Sequence, residues 1–220
     1  MPRPLLIVFG LNGSLLQRCR PAVAANLNPP ENIEQHTVGI QKVFVRPSAK
    51  DGLKKLVDEG NSVAIWSSTT LKNTEPIVHT VWSEKDHPFS FIWSRDHTKP
   101  DNYRRQTSLG DSETEFATLK DLNMIWNYRL GVTDEHRTKF GADFNFGPKN
   151  TVVVDDEPSK TRAHADNLLW IPQYSVEDNL AGTVDPSLGF DQALELLLGE
   201  LSEIDDVRDV LPKKIVVKNL

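Results

Sequence analysis

Leu5-Leu6-Ile7-Val8-Phe9 is a run of five apolar residues that empties into Gly10-Leu11-Asn12-Gly13-Ser14-Leu15. A run this short, apolar at every position rather than at alternate ones, predicts a strand covered on both faces, as in a parallel sheet. Four more runs share the pattern: Ser62-Val63-Ala64-Ile65-Trp66, Phe89-Ser90-Phe91-Ile92-Trp93, Thr151-Val152-Val153-Val154 and Leu168-Leu169-Trp170-Ile171. Helical stretches lie between them. Pro47 to Glu59 puts Leu53, Leu56 and Val57 on one side and is stopped by Gly60 and Asn61. Leu71 to Lys85 is a second helix, with Pro76 placed in its first turns. Pro186 to Glu200, carrying Leu188, Phe190, Ala193, Leu194, Leu196, Leu197 and Leu198, is the most apolar. Strand and helix in alternation predict the α/β class with a central, mainly parallel sheet.

Three polar stretches interrupt that rhythm: 17–42, rich in Pro and Asn, and the charged insertions 95–115 and 129–149. The reading is one domain over residues 1–200 and a C-terminal tail over 201–220. The tail is acidic first (Glu203, Asp205, Asp206, Asp209) and basic later (Lys213, Lys214, Lys218). Ile215-Val216-Val217 in its last third suits a docking strand. A chain of 220 residues buries a core without disulfides or a structural metal, and the single cysteine, Cys19, suits a reducing compartment. The count of 25 Lys plus Arg against 31 Asp plus Glu gives a net charge of −6, which argues against direct nucleic-acid binding. No apolar run approaches a membrane span, and no secretory signal is readable at the start. An intracellular protein is expected, in nucleus or cytoplasm ahead of mitochondrion.

In an open parallel sheet the chemistry sits at the carboxyl ends of the strands. Here those ends read Gly10-Leu11-Asn12-Gly13-Ser14-Leu15, Ser67-Ser68-Thr69-Thr70 and Asp155-Asp156-Glu157-Pro158, with Lys120-Asp121-Leu122 upstream of the last. Each has a plain structural reading. Ser67 to Thr70 suits an N-cap cluster for the next helix, Asp155 and Asp156 suit a cap before Pro158, and Lys120 suits a cation paired with Asp155.

The order and spacing of these motifs resemble the haloacid dehalogenase superfamily of phosphatases. Within it they resemble the branch of the RNA polymerase II carboxy-terminal-domain phosphatases and NLI-interacting-factor-like domains. Arg46-Pro47, a helix, then Ile65-Trp66-Ser67-Ser68-Thr69 is similar to one shared stretch of that branch. Lys120-Asp121-Leu122, Val154-Asp155-Asp156-Glu157-Pro158, and Asp166-Asn167 with Ile171-Pro172 are similar to the others. The resemblance covers residues 4 to 198. It implies a three-layer Rossmannoid fold with loop or flap insertions and no large separate cap.

The first motif of that family is D-x-D-x-T-L, whose two aspartates are the nucleophile and the general acid and base. This sequence has Gly10 and Asn12 at those places. A glycine has no side chain to attack phosphorus, and an amide does not cycle a proton near neutral pH. Such groups each contribute on the order of 10²-fold or more to rate. The resemblance therefore implies no catalytic residue, a phosphate-binding remnant at Ser67, Ser68 and Lys120, and a weak or vestigial magnesium site at Asp155 and Asp156. No cofactor is required. The expected function is that of a pseudophosphatase, a binding or scaffold protein whose partner is a protein, a phosphoprotein or a larger assembly. Two alternatives stand beside it. One is a weakly active magnesium-dependent phosphatase using Ser67, Ser68 or a metal-bound water as nucleophile. The other is a purely structural subunit.

Overall fold

Each of the five apolar runs forms a strand in the computed structural model, which describes residues 3–27, 29–83, 87–107, 116–177 and 188–211. In chain order the strands are β1 (Leu6–Phe9), β2 (Leu16–Cys19), β3 (Gln35–Val38), β4 (Gln41–Val45), β5 (Ser62–Trp66), β6 (Phe89–Trp93), β7 (Lys99–Pro100), β8 (Thr118–Leu119), β9 (Thr151–Asp155) and β10 (Leu168–Trp170). The helices are α1 (Pro21–Ala24), α2 (Ala49–Asp58), α3 (Leu71–Trp82), α4 (Asn102–Thr107), α5 (Asn123–Asn127), α6 (Asp134–Phe140), α7 (Leu188–Leu198) and α8 (Glu200–Glu203).

The main sheet has the order β10-β9-β1-β5-β6, with every pairing parallel. Alternate residues explain why the runs are apolar throughout. Ile7, Phe9, Val63, Ile65, Val152 and Val154 pack with Leu53, Leu56, Ile77, Val78 and Phe190 of the helices on one face. Leu6, Val8, Ala64, Trp66 and Val153 pack with Leu122, Ile125 and Phe146 on the other. Burying one such side chain contributes about 1.5–3 kcal/mol, so both faces of each strand hold the sheet. The layers close tightly at Gly52 of α2. A Cβ there would collide with Leu194 Cδ1 and approach Phe190 Cε1 to 2.9 Å, so α2 and α7 meet only because position 52 has no side chain.

The polar stretch 17–42, which interrupts the strand–helix rhythm, carries regular structure of its own. With the residues beside it, it builds the antiparallel sheet β2-β4-β3, registered by Leu16 opposite Val45 and Gln35 opposite Phe44. Its strands are four or five residues long and only β4 carries a buried run, so the apolar signal of a strand is missing. Likewise 129–149 is not wholly irregular. Thr133 caps α6 by accepting from His136 N (3.2 Å), and the buried His136 ring bonds Gly60 O through Nε2 (3.0 Å). Helix α3 carries Pro76 in its body and ends at Trp82, before Ser83 at φ 68°.

The fold also runs past the expected boundary at residue 200. Leu201, Val207 and Leu211 are buried in the main core, and Arg3 N donates to Ser202 O (3.1 Å). The acidic half of the tail therefore belongs to the domain. The basic half and its Ile215-Val216-Val217 segment lie outside the described residues, as do 108–115 of the second insertion and Pro186 of the third expected helix. No helix among the described residues is long and apolar enough to cross a membrane.

Candidate functional site

The carboxyl edge of the main sheet converges on a small cavity of about 100 Å³. Its lining includes Gly10, Asn12, Ser67, Ser68, Lys120 and Asp155, so the fold brings six of the seven singled-out residues together. Asp156 is not among them.

The loop after β1 is tightly wound. Gly10 N donates to Val154 O (2.8 Å), Leu15 N to Leu11 O (3.0 Å) and Gly13 N to Leu16 O (2.8 Å). Arg46, buried behind it, donates through Nη1 to Ser14 O (2.9 Å) and through Nη2 to Pro172 O (2.9 Å), and lies over the Tyr174 ring. Burial lowers the Arg46 guanidinium to about 10, still far above neutrality, so it remains a cation fastening the loop. A side chain at position 10 requires Ser14 to turn its hydroxyl away. A Cβ added there would stand 2.5 Å from Ser14 Oγ and 3.0 Å from Asp155 Oδ2. Asn12 is exposed, and its Oδ1 accepts from Arg18 N (2.8 Å).

Across the cavity, Ser67 Oγ bonds Thr69 Oγ1 (2.9 Å) and accepts from Thr69 N (3.1 Å). These hydroxyls shape the turn without capping α3, since Thr70 at the N-cap makes no side-chain cap bond. Ser68 Oγ and Trp66 Nε1 are buried without a partner among the described residues. Both residues line the cavity.

The charged floor is built from three residues. Lys120 and Asp155, each 1 % exposed, form a buried ion pair through Nζ and Oδ2. Asp155 Oδ1 accepts from Glu157 N (3.0 Å) and faces Lys160 Nζ at 4.0 Å. Lys160 also pairs with Glu157 (3.0 Å), and Lys120 N donates to Lys160 O (2.8 Å), which ties the two lysines together. Burial alone would raise the Asp155 carboxyl, but the ammonium of Lys120, then that of Lys160, holds it below the usual carboxylate range. Lys160 is raised, because Asp155 and Glu157 outweigh the burial that opposes its charge.

Asp156 turns the other way. Its Oδ1 accepts from Ser14 Oγ (3.1 Å), and its carboxylate fills the space a side chain at Gly13 would need. Burial, then the charge of Asp155, pushes it up to about 6. The expected pair of metal-binding carboxylates is thus split. One faces two ammoniums and the other braces the β1 loop from beneath. No group of three His, Cys, Asp or Glu suited to a metal is present among the described residues. A magnesium ion needs oxygen ligands free to face it, and this donor set does not fit one.

The second insertion closes one side. Arg95 Nε donates to Ser68 O (2.8 Å), Arg104 reaches Glu157 (2.5 Å) and Ser159 Oγ (2.8 Å), and Arg162 pairs with the fully buried Asp101. Sequence reasoning missed Lys160, Arg46 and Ser14. Lys160 had a readable signal, as the one cation following three consecutive acids at 155–157. Arg46 and Ser14 stand in the sequence only as members of a motif.

The family model for NLI interacting factor-like phosphatase matches residues 5–210. The chain belongs to that family. Among solved structures, the chain is similar to Fcp1, described as an essential RNA polymerase II CTD phosphatase. That match has 11 % identity and a TM-score of 0.55, over 96 % of this chain and 70 % of that one. It is also similar to a fission yeast Fcp1 variant bound to beryllium fluoride. There the identity is 13 % and the TM-score 0.49, over 96 % of this chain and 62 % of that one. At such identities the first likeness shows the fold alone, an α/β fold with a central five-stranded parallel sheet. No curated protein matches. Family and fold are those of a phosphatase domain.

Proposed function

We propose that this member of the NLI interacting factor-like phosphatase family is a pseudophosphatase, an intracellular protein that binds a partner through a phosphatase fold and does not hydrolyse it. The observation that carries the reading is position 10. The family's chemistry, as the sequence resemblance implies it, needs a carboxylate there. The chain has a glycine, and the place of a side chain is taken by Ser14 Oγ and the Asp155 carboxylate. The place of the acid and base is held by an exposed amide engaged with the backbone of Arg18. Ser67, one of the two alternative nucleophiles, spends its hydroxyl on Thr69 and has no base among its hydrogen-bond partners in the described residues.

What remains is a recognition surface. The cavity keeps hydroxyls and two lysines, the groups that hold an oxyanion. The loops that flank it are where binding residues commonly lie on a rigid sheet. The partner proposed is a protein, with a phosphorylated side chain as the group that reaches the cavity.

The test is an aryl-phosphate assay on the purified chain with magnesium and with chelator. No turnover above buffer is expected in either. Magnesium-dependent turnover that follows the protein peak through two successive columns overturns the reading and restores an enzyme.

A further inference from the structure

The donor set at the cavity disagrees with the divalent ion on which the fold's chemistry depends, and the disagreement has a definite form. Among the residues lining the cavity, one carboxylate, Asp155, stands against two ammoniums, Lys120 and Lys160. Glu157, beside the lining, is shared between Lys160 and Arg104, so Asp155 and Glu157 each already face two cations, an arrangement that opposes a divalent cation and favours an anion. Lys160 Nζ stands 4.0 Å from Asp155 Oδ1 and 3.0 Å from Glu157 Oε2, so it neutralises the carboxylates that a metal would otherwise draw together. Its side chain is only 19 % exposed, and its carbonyl is fixed by Lys120 N, so it does not wander from the site.

We infer that the Lys160 ammonium stands in for the divalent cation and that the cavity takes a tetrahedral oxyanion, as free phosphate or as a phosphorylated side chain, without metal. The inference rests on the non-hydrolysing reading above and goes beyond it by naming the residue that makes the site metal-independent. Each ammonium has three donors. Among the described residues Asp155 accepts from Lys120, and Glu157 and Asp155 flank Lys160, so donors remain for a bound anion. Ser68 Oγ, buried without a partner at the same lining, is a further donor. The volume of about 100 Å³ suits a small oxyanion rather than a drug-sized ligand.

The experiment is a thermal-shift and titration series on the full chain with inorganic phosphate and, in parallel, a phosphoserine peptide, each in EDTA and in magnesium. The expected result is stabilisation by phosphate that is the same in EDTA and in magnesium, and no shift with magnesium or manganese alone. Lys160→Met is expected to weaken phosphate at least about tenfold and to gain a manganese-dependent shift, since Asp155 and Glu157 each lose one of two cations and keep only Lys120 and Arg104. Lys160→Arg keeps the charge and is expected to keep the metal-free binding. Tighter binding of the peptide than of phosphate assigns the ligand to a phosphorylated chain, and equal binding assigns it to the free anion. A phosphate effect that requires magnesium, a Lys160→Met protein that binds phosphate as the native chain does, or no phosphate effect at all overturns the inference. None of these three results, taken without turnover, touches the non-hydrolysing reading, which fails only in the aryl-phosphate assay.

Discussion

The two sides of the cavity differ in what they still carry. On the β1 side, the positions that would perform chemistry hold a glycine and an exposed amide, and the loop is kept in place by Arg46 and Asp156 from behind. On the β9 side, the buried pair Lys120 and Asp155 and the half-buried Lys160 form a connected charged group. The difference separates two kinds of demand on a residue. A buried ion pair, once its partner lies in the core, is held there by the cost of leaving either charge alone. An exposed polar side chain has no such tie, and nothing in the packing fixes its identity.

The largest effect follows from breaking the buried pair. Asp155→Ala strands Lys120, buried to 1 % exposure, without a counter-charge. The expected loss is about 3–5 kcal/mol, read as the shift in urea midpoint. A loss below about 1 kcal/mol would mean that the pair is not what holds this side, and the contrast would collapse.

A middle-sized effect of opposite sign is expected at Asp156. Its carboxyl lies at about 6 in the fold, above the ordinary 3.8. The folded chain therefore holds more proton than the unfolded one between those values, and stability falls as pH rises through that interval. Above about pH 6 the penalty is complete, and below about pH 4 it is absent. Asp156→Asn keeps an acceptor for Ser14 and removes the charge. A gain of about 1–2 kcal/mol is expected at pH 7.5, less than the full shift converts to because the group is only partly enclosed. Urea curves at pH 7.5 and pH 4.5 check it. A gain that stays constant with pH would show that burial of this charge is not its cause.

How much of this was legible depends on which physical signal each part leaves. The main sheet was readable because burial on both faces writes apolar residues at every position, as at Leu6 to Phe9 and Val152 to Val154. The small sheet was not, because Gln35-His36-Thr37-Val38 lies at its edge with nothing buried and carries no such pattern. At the cavity, the strand ends named the residues and their company but not their direction. Asp155 and Asp156 are neighbours in sequence on a strand end, where successive side chains point to opposite faces. That alternation sends one to Lys120 and the other beneath Gly13. Lys160 was overlooked because it follows the motif by two residues and acts only when the turn after Pro158 folds it back on Asp155.

The smallest effect belongs to Asn12, and it bears on the comparison from the other side. Its side chain is exposed, and its Oδ1 accepts from Arg18 N. Asn12→Asp keeps that acceptor and adds a charge in water, so a change within about 0.5 kcal/mol is expected. Arg18 lies nearby with its guanidinium partly buried and pushed down by that burial and by Arg95, which makes a slight gain the expected direction. Urea unfolding of Asn12→Asp beside Asp155→Ala sets the two sides against one another on one scale. Near-neutrality at position 12 together with a large loss at position 155 is the pattern of a site whose reactive positions were free to change while its buried charges were not. A loss at position 12 as large as that at 155 would show that the β1 loop, too, is held by its side chains, and the contrast between the two sides would fail.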